Sequence, residues 1–245
     1  MQAKRHARHM QARGQQPIVK ELHDWVGGQA DLEARRIRTI GDPAERFGED
    51  RLRMLRAVRF AAQLCFEIEP ATFAAVREHA PSVTEVSAER IRDELLKIFR
   101  PPHAAGGLDL LRESGLLAEV LPELAATIGC EQPPEFHPEG DVYASIRLML
   151  SQLPEAADTG LIWSVLMHDI AKPVTASRDD DGCIRFFGHE KTGTDMARAI
   201  LNRLRFPNAE IDTVTSCVRY YMQLKDCLLY TSPSPRDRQK SRMPS

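Results

Sequence analysis

Leu52, Leu55, Val58 and Ala62 recur at helical spacing through and just beyond a stretch, Arg38 to Phe60, that reads RTIGDPAERFGEDRLRMLRAVRF. An apolar stripe of this period must be buried against other elements, so the segment predicts one helix of a packed helical domain. Its polar side is unusual. Eight arginines lie between Arg35 and Arg59, with no lysine among them, which suits planar forked donors more than point charge. Glu45, Glu49 and Asp50 are interleaved. A helix opening near Phe47 would set Asp50 and Arg53 three residues apart, and Glu49 and Arg53 four apart, on a common face. An acceptor and a forked donor fixed side by side can hydrogen-bond the polar edge of a nucleobase. The same spacing also describes an ion pair on a solvated helix face.

The rest of the chain supports a helical reading. Residues 1 to about 20 are basic and polar, and Leu22 to Val26 is a short strand candidate. Gly27-Gly28 supplies a turn that needs positive φ or close approach, and Asp31 is placed to cap a short helix over LEARRI. Pro70 opens a helix over Glu69 to His79, where its missing N–H is no loss. Ser87 caps another, running to about Phe99, with Arg90, Arg92, Glu94 and Lys97 on its polar side. A helix pair follows Pro101-Pro102, with Gly115 at a C-cap position and Pro122 marking a new start or kink. Residues 131–141, EQPPEFHPEGD, form the best linker. Beyond it lie DVYASIRLML, GLIWSVLMHDIAKP with the adjacent pair His168-Asp169, and a helix opened by Gly188-His189. Five cysteines without a CxxC pair point to a reduced, cytoplasmic protein. No apolar run approaches a membrane span. The net charge of −2 carries no nucleic-acid signature, although a local arginine cluster can still bind phosphate.

The string IRTIGDPAERFGEDRLRMLRAVRFAAQL, followed by VSAERIRDELLKI at Val86 to Ile98, resembles the neck of the bacterial tRNA nucleotidyltransferase and poly(A) polymerase family, the CCA-adding enzymes and their relatives. The resemblance runs from about His23 to Met222. It implies an all-α fold: a helical neck and body followed by a helical HD-like domain, with a remnant strand of a missing α/β head at the N-terminus. The corresponding division is an unmatched basic lead (1–21), the end of the head and a connector (22–46), the neck and body (47–130), a truncated HD-like domain (131–226) and a foreign tail (227–245). It further implies that Asp50 and Arg53 read the base of CTP or ATP, with Arg56, Arg90 and Glu94 also at the nucleotide. Arg59 and Arg92 would reach RNA or phosphate. The partners implied are the 3′ end of tRNA or another RNA, and CTP and ATP. In this family the catalytic head holds Mg2+ on paired aspartates, yet no DxD-type pair and no Gly-Ser pair precede Asp24. Two-metal phosphoryl transfer needs such clustered carboxylates. No catalytic residue is therefore expected in this chain, and the isolated chain is expected to be inactive.

The resemblance extends to the HD domain, whose imidazoles and carboxylate bind divalent metal in HD phosphohydrolases. His168, Asp169 and His189 are the candidate ligands here. Where metal-binding relatives read GDVWEHT this chain has GDVYASI, putting Ser145 in place of a histidine, and Tyr221 stands where another is usual. A hydroxyl and a phenol are poor substitutes for imidazole. A divalent metal is not expected, and the three residues should form a buried polar cluster. A stand-alone metal-dependent HD phosphohydrolase and a non-catalytic RNA-binding module are the alternative readings. Cys227 to Ser245, CLLYTSPSPRDRQKSRMPS, resembles a translated sequencing adapter, which would mean that the open reading frame was cut short near Asp226.

Overall fold

The computed structural model describes residues 24–231, with side chains through Met222. The basic lead, Leu22-His23 and the tail from residue 232 lie outside the described residues. Those described fall into two compact units divided after Ala34. In the first, α1 spans Gly28–Glu33 behind Gly27, whose φ of 77° bears out the expected left-handed turn. Two expectations fail here. Asp24–Val26 is not a strand, because the Asp24 carboxylate accepts the N–H groups of Val26, Gly28 and Gln29 at 2.8–3.2 Å and curls the backbone. The same carboxylate takes the capping role expected of Asp31.

In the second unit, Arg35 at φ 52° turns the chain out of helix, so Arg36–Ile37 forms β1 rather than the end of a LEARRI helix. It pairs in parallel with β2, Glu67–Ile68, in the register Arg36 to Glu67. The expected single helix from Phe47 is two helices. The first, α2 (Pro43–Glu49), is capped by Asp42, and α3 (Leu52–Leu64) follows a break at Asp50, which is extended at φ −148°. The predicted stripe holds: Leu52, Leu55, Val58 and Ala62 are all buried on α3.

Pro70 opens α4 (Pro70–His79) as expected, and a 3-10 turn over Ala80–Glu85 leads to α5 (Ala88–Ile98). Ser87 stands at the N-cap of α5, but its side chain makes no capping bond. Then come α6 (Ala104–Glu113), α7 (Leu116–Val120) and α8 (Pro122–Ala125), with Gly115 at φ 80° between α6 and α7 and Pro122 starting α8. Residues 131–141 are loop and turn. Asp141 caps α9 (Val142–Ser151) and Asp158 caps α10 (Thr159–Met167), each through its carboxylate. A short α11 (Lys172–Thr175) runs into an antiparallel hairpin, β3 (Ala176–Arg178) with β4 (Ile184–Phe186). Gly188 then precedes α12 (His189–Arg203), and α13 (Asn208–Thr231) packs along it.

The apolar core is continuous from Phe47 on α2 to Val218 on α13. Its aromatic centre is Trp163, fully buried, with edge-on contacts to Phe99 at 6.0 Å and Phe206 at 4.7 Å between centroids. Two polar ties run alongside. Arg203 pairs with Glu123 at 2.6 Å, and Arg147 with Asp109 at 2.7 Å.

The backbones of α5 and α6 approach closely at Gly107. A Cβ on Gly107 would sit 2.6 Å from Ile98 Cγ2 and 2.8 Å from the Ile98 carbonyl oxygen. Backbone cannot yield as a side chain can, so Gly107→Ala should cost about 1–3 kcal/mol. Thermal unfolding checks it, with Gly106→Ala, whose Cβ meets nothing within 4 Å, as the internal control that stays stable.

Candidate functional site

The arginine-rich face is built where α2, α3 and α5 meet. The break at Asp50 arises because its carboxylate accepts the Leu52 N–H at 3.2 Å while its carbonyl accepts the Arg53 N–H at 3.0 Å. Asp50 thus serves the start of α3 rather than continuing α2. This corrects the expected geometry: Asp50 and Arg53 do not share the face of one unbroken helix. Asp50 instead receives the Arg90 guanidinium at 3.1 and 3.2 Å, with Arg56 at 3.9 Å. Arg53 keeps its expected partner, donating to Glu49 at 2.6 Å and to the Arg46 carbonyl at 3.0 Å. Hydrogen bonds from Arg53 and Arg46 hold the Glu49 carboxyl below its usual range.

A cleft of about 320 Å3 opens beside Arg53, lined by Arg38, Thr39, Ile40, Arg46 and Arg53. Arg46 is fixed there by donating to the Ile40 carbonyl at 2.8 Å. Thr39 carries no charge or motif that would mark it in the sequence. Asp50, Arg53, Arg56 and Arg90 keep part of their side chains in solvent, so an incoming ligand can exchange with their present partners.

The remaining candidates lie differently. Glu94 is buried at 4% exposure, although helix periodicity reads it as part of a polar face. Its carboxylate takes Arg59 at 2.9 Å, Lys97 at 3.3 Å and Arg56 at 3.8 Å. Arg59, expected at phosphate, has only 13% of its side chain exposed and lies 4.2 Å over the Phe60 ring. Arg92 is also engaged, with Asp93 at 2.8 Å and with the Arg205 carbonyl on the far side of the chain. These three side chains tie α5 to α3 and to Arg205, just beyond α12.

Near the other end, α9 to α13 surround a cavity of about 490 Å3 lined in part by His168, Asp169, Lys172, His189, Phe187 and Tyr221. His168, Asp169 and His189 come together, as the sequence suggested, in a polar cluster. The Tyr221 hydroxyl donates to Asp169 Oδ1 at 2.6 Å, and His189 Nε2 lies 2.6 Å from the same hydroxyl. His168 Nε2 and Lys172 Nζ reach Asp169 Oδ2 at 3.1 and 2.8 Å. Burial pushes the Asp169 carboxyl up, but His168 and Lys172 outweigh it and hold the group well below the carboxylate range. Burial and the charge on Asp169 both push the Tyr221 phenol up. Ser145 donates to Glu139 at 2.5 Å, and His137 lies 2.9 Å from the same oxygen. Against the burial penalty these bonds bring the Glu139 carboxyl down to about 2. Lys172 was missed in the sequence: three residues after Asp169 it has the spacing of an ordinary helical ion pair, which does not mark a buried one. Among the described residues no group of three or more His, Cys, Asp or Glu is arranged to hold a metal ion.

Comparison with known proteins bears on both regions. Residues 65–128 match the family described as the probable RNA and SrmB-binding site of polymerase A. The chain is 36% identical over 213 residues to the A-adding tRNA nucleotidyltransferase of Deinococcus radiodurans, covering 83% of this chain and 48% of that protein. This chain belongs to the tRNA nucleotidyltransferase and poly(A) polymerase family. The multifunctional CCA protein of Halorhodospira halophila is also 36% identical, over 208 residues, covering 82% of this chain and 48% of the relative. Among solved structures, the Bacillus stearothermophilus CCA-adding enzyme in complex with CTP aligns with a TM-score of 0.57 at 27% identity. That alignment covers 83% of this chain and 42% of the enzyme. The chain spans about half the length of the curated nucleotidyltransferases it matches. The all-α architecture expected of the neck and body of this family is the one found. Among the described residues no helix is long and apolar enough to cross a membrane.

Proposed function

We propose that residues 47–130 are the base-selecting and RNA-binding neck and body of a nucleotidyltransferase that extends RNA 3′ ends from CTP or ATP, tRNA being the substrate class. Residues 131–226 are a degenerate HD-like domain that supports them, and residues 22–46 connect to a catalytic head. The observation that carries this reading is the placement of Asp50 at the α2–α3 break and of Arg53 in the first turn of α3. An acceptor and a forked donor there are both partly exposed, and their side-chain partners are ion pairs that a ligand can exchange with, beside one backbone contact each. Arg56 and Arg90 flank them as donors for the nucleotide. Glu94, with Arg59, acts by fixing α3 against α5, and Arg92 by fixing α5 to the loop after α12. Mg2+ supplies charge stabilisation at the phosphates in the head. No residue of the neck takes part in bond making, so its contribution is positioning. A cytoplasmic location follows from tRNA as substrate.

Titration of this chain with tRNA over a range of salt concentrations tests the proposal. Binding should weaken steeply with salt, and Arg56→Ala should flatten the slope of log K against log salt by about one. Arg53→Ala should do the same and, in a chain carrying the head, should also lower selectivity between CTP and ATP, a bidentate contact being worth about 1–3 kcal/mol. Binding that ignores salt, or is equal in wild type and both variants, overturns it.

A further inference from the structure

We infer that Lys172 is the resident cation of the HD-like centre and that Tyr221 closes it, so this half of the molecule is held together by a metal-free ion cluster. A divalent ion needs several donors with free lone pairs converging at about 2.0–2.6 Å. Here the donors are committed. Asp169 Oδ1 accepts the Tyr221 hydroxyl, and Oδ2 accepts both the Lys172 ammonium and His168 Nε2. The second nitrogen of His168 faces the Val165 carbonyl at 2.8 Å, and that of His189 faces the Phe186 carbonyl at 2.7 Å. The remaining nitrogen of His189 is engaged by Tyr221. The carbonyl contacts at Nδ1 only orient the rings, as they would in a metal site; what commits the pair is that both Nε2 atoms face partners inside the protein, and Ser145 is turned to Glu139. The residues present do not fit a metal.

Lys172 fits the vacated role. It is buried at 6% exposure, and its ammonium sits 2.8 Å from Asp169, 2.6 Å from the Gln132 amide oxygen and 5.2 Å from the centre of the Phe186 ring. A carboxylate oxygen, an amide oxygen and an aromatic face form a site built for one positive charge. These ligands come from different stretches: Gln132 from the 131–141 loop, Asp169 from the end of α10, and Phe186 from β4. Through Tyr221 the same carboxylate reaches α13, and through His189 the start of α12. One lysine therefore cross-links the elements that a metal would otherwise gather, which also removes the means of metal-assisted phosphate ester hydrolysis from this cavity.

Metal analysis and thermal unfolding test this together. Wild-type protein exposed to Mn2+ or Zn2+ and then desalted should retain less than stoichiometric metal, and its Tm should not rise with either ion. Lys172→Met keeps the buried stem but removes the charge, and should melt roughly 10 °C lower because Asp169 loses its counter-ion. In Lys172→Met combined with Tyr221→His, which frees Asp169 Oδ1 and adds an imidazole, Mn2+ or Zn2+ should raise the Tm. One equivalent of metal retained by the wild type overturns the inference, as does a Lys172→Met protein that melts like the wild type. The wild-type measurement stands even where a variant does not fold.

Discussion

Replacing Trp163 with alanine should remove about 3–5 kcal/mol of stability, the usual cost of truncating a fully buried large aromatic. Trp163 has no exposed surface and lies between Phe99, beyond the end of α5, and Phe206, beyond the end of α12. Its removal leaves a void that neither ring can fill without moving a helix. Trp163→Phe should cost much less. The indole Nε1 is buried without a hydrogen-bond partner, so phenylalanine gives up volume but also removes an unsatisfied donor. Urea unfolding of the two variants separates the effects. A loss below about 1 kcal/mol for the alanine variant would show that the aromatic contacts are not the centre of the core.

A comparable loss is expected at Glu94, for an electrostatic reason. Glu94→Ala strands Arg59, whose side chain is mostly buried, without the carboxylate 2.9 Å away. Breaking a buried pair from one side costs about 3–5 kcal/mol, since the remaining charge has no compensation. Replacing both partners, Glu94→Leu with Arg59→Met, should recover most of that loss because the site then packs as ordinary core. The double-mutant cycle measured by thermal unfolding checks the coupling directly. If Glu94→Ala is harmless, the charge on Arg59 must be reaching water. The functional corollary is that both single variants should weaken tRNA binding through displacement of α3, whereas the double variant should restore it.

Much of the helical architecture could be read from the sequence because it rests on local signals. Pro70, Gly115, Pro122 and Gly188 mark element ends as their backbone chemistry requires, and Asp141 does so through its capping carboxylate. The stripe from Leu52 to Ala62 was legible for the same reason. Part of what could not be read depends on partners far away in the chain. The partner of the Asp50 carboxylate, Arg90, lies forty residues on, and a three-residue spacing between Asp50 and Arg53 says nothing about it. Glu94 looks like a surface acid until Arg59, from another helix, is seen to bury with it. The hairpin around Asp179 lies in a polar stretch without strand alternation, and its turn is closed by that carboxylate accepting the Cys183 N–H at 2.8 Å. At the HD-like centre the replacement of two ligand histidines by Ser145 and Tyr221 was visible, but the gain of Lys172 was not. A lysine beside an acid is too common a pattern to announce a buried cation.

The contacts of Trp163 with Phe99 and Phe206 also have a consequence in time. A ribosome releases the chain from its N-terminus, so α3 to α6 emerge and can begin to pack while Trp163 is still being made. Until it arrives, Phe99 has neither its edge-on partner nor the cover that later helices provide, and an apolar flank of the nascent chain faces solvent. The neck therefore reaches its final packing late, only when α10 and then the segment after α12 have been synthesised. Translation pauses placed before α10 should prolong that exposed interval, whereas pauses after Phe206 should not.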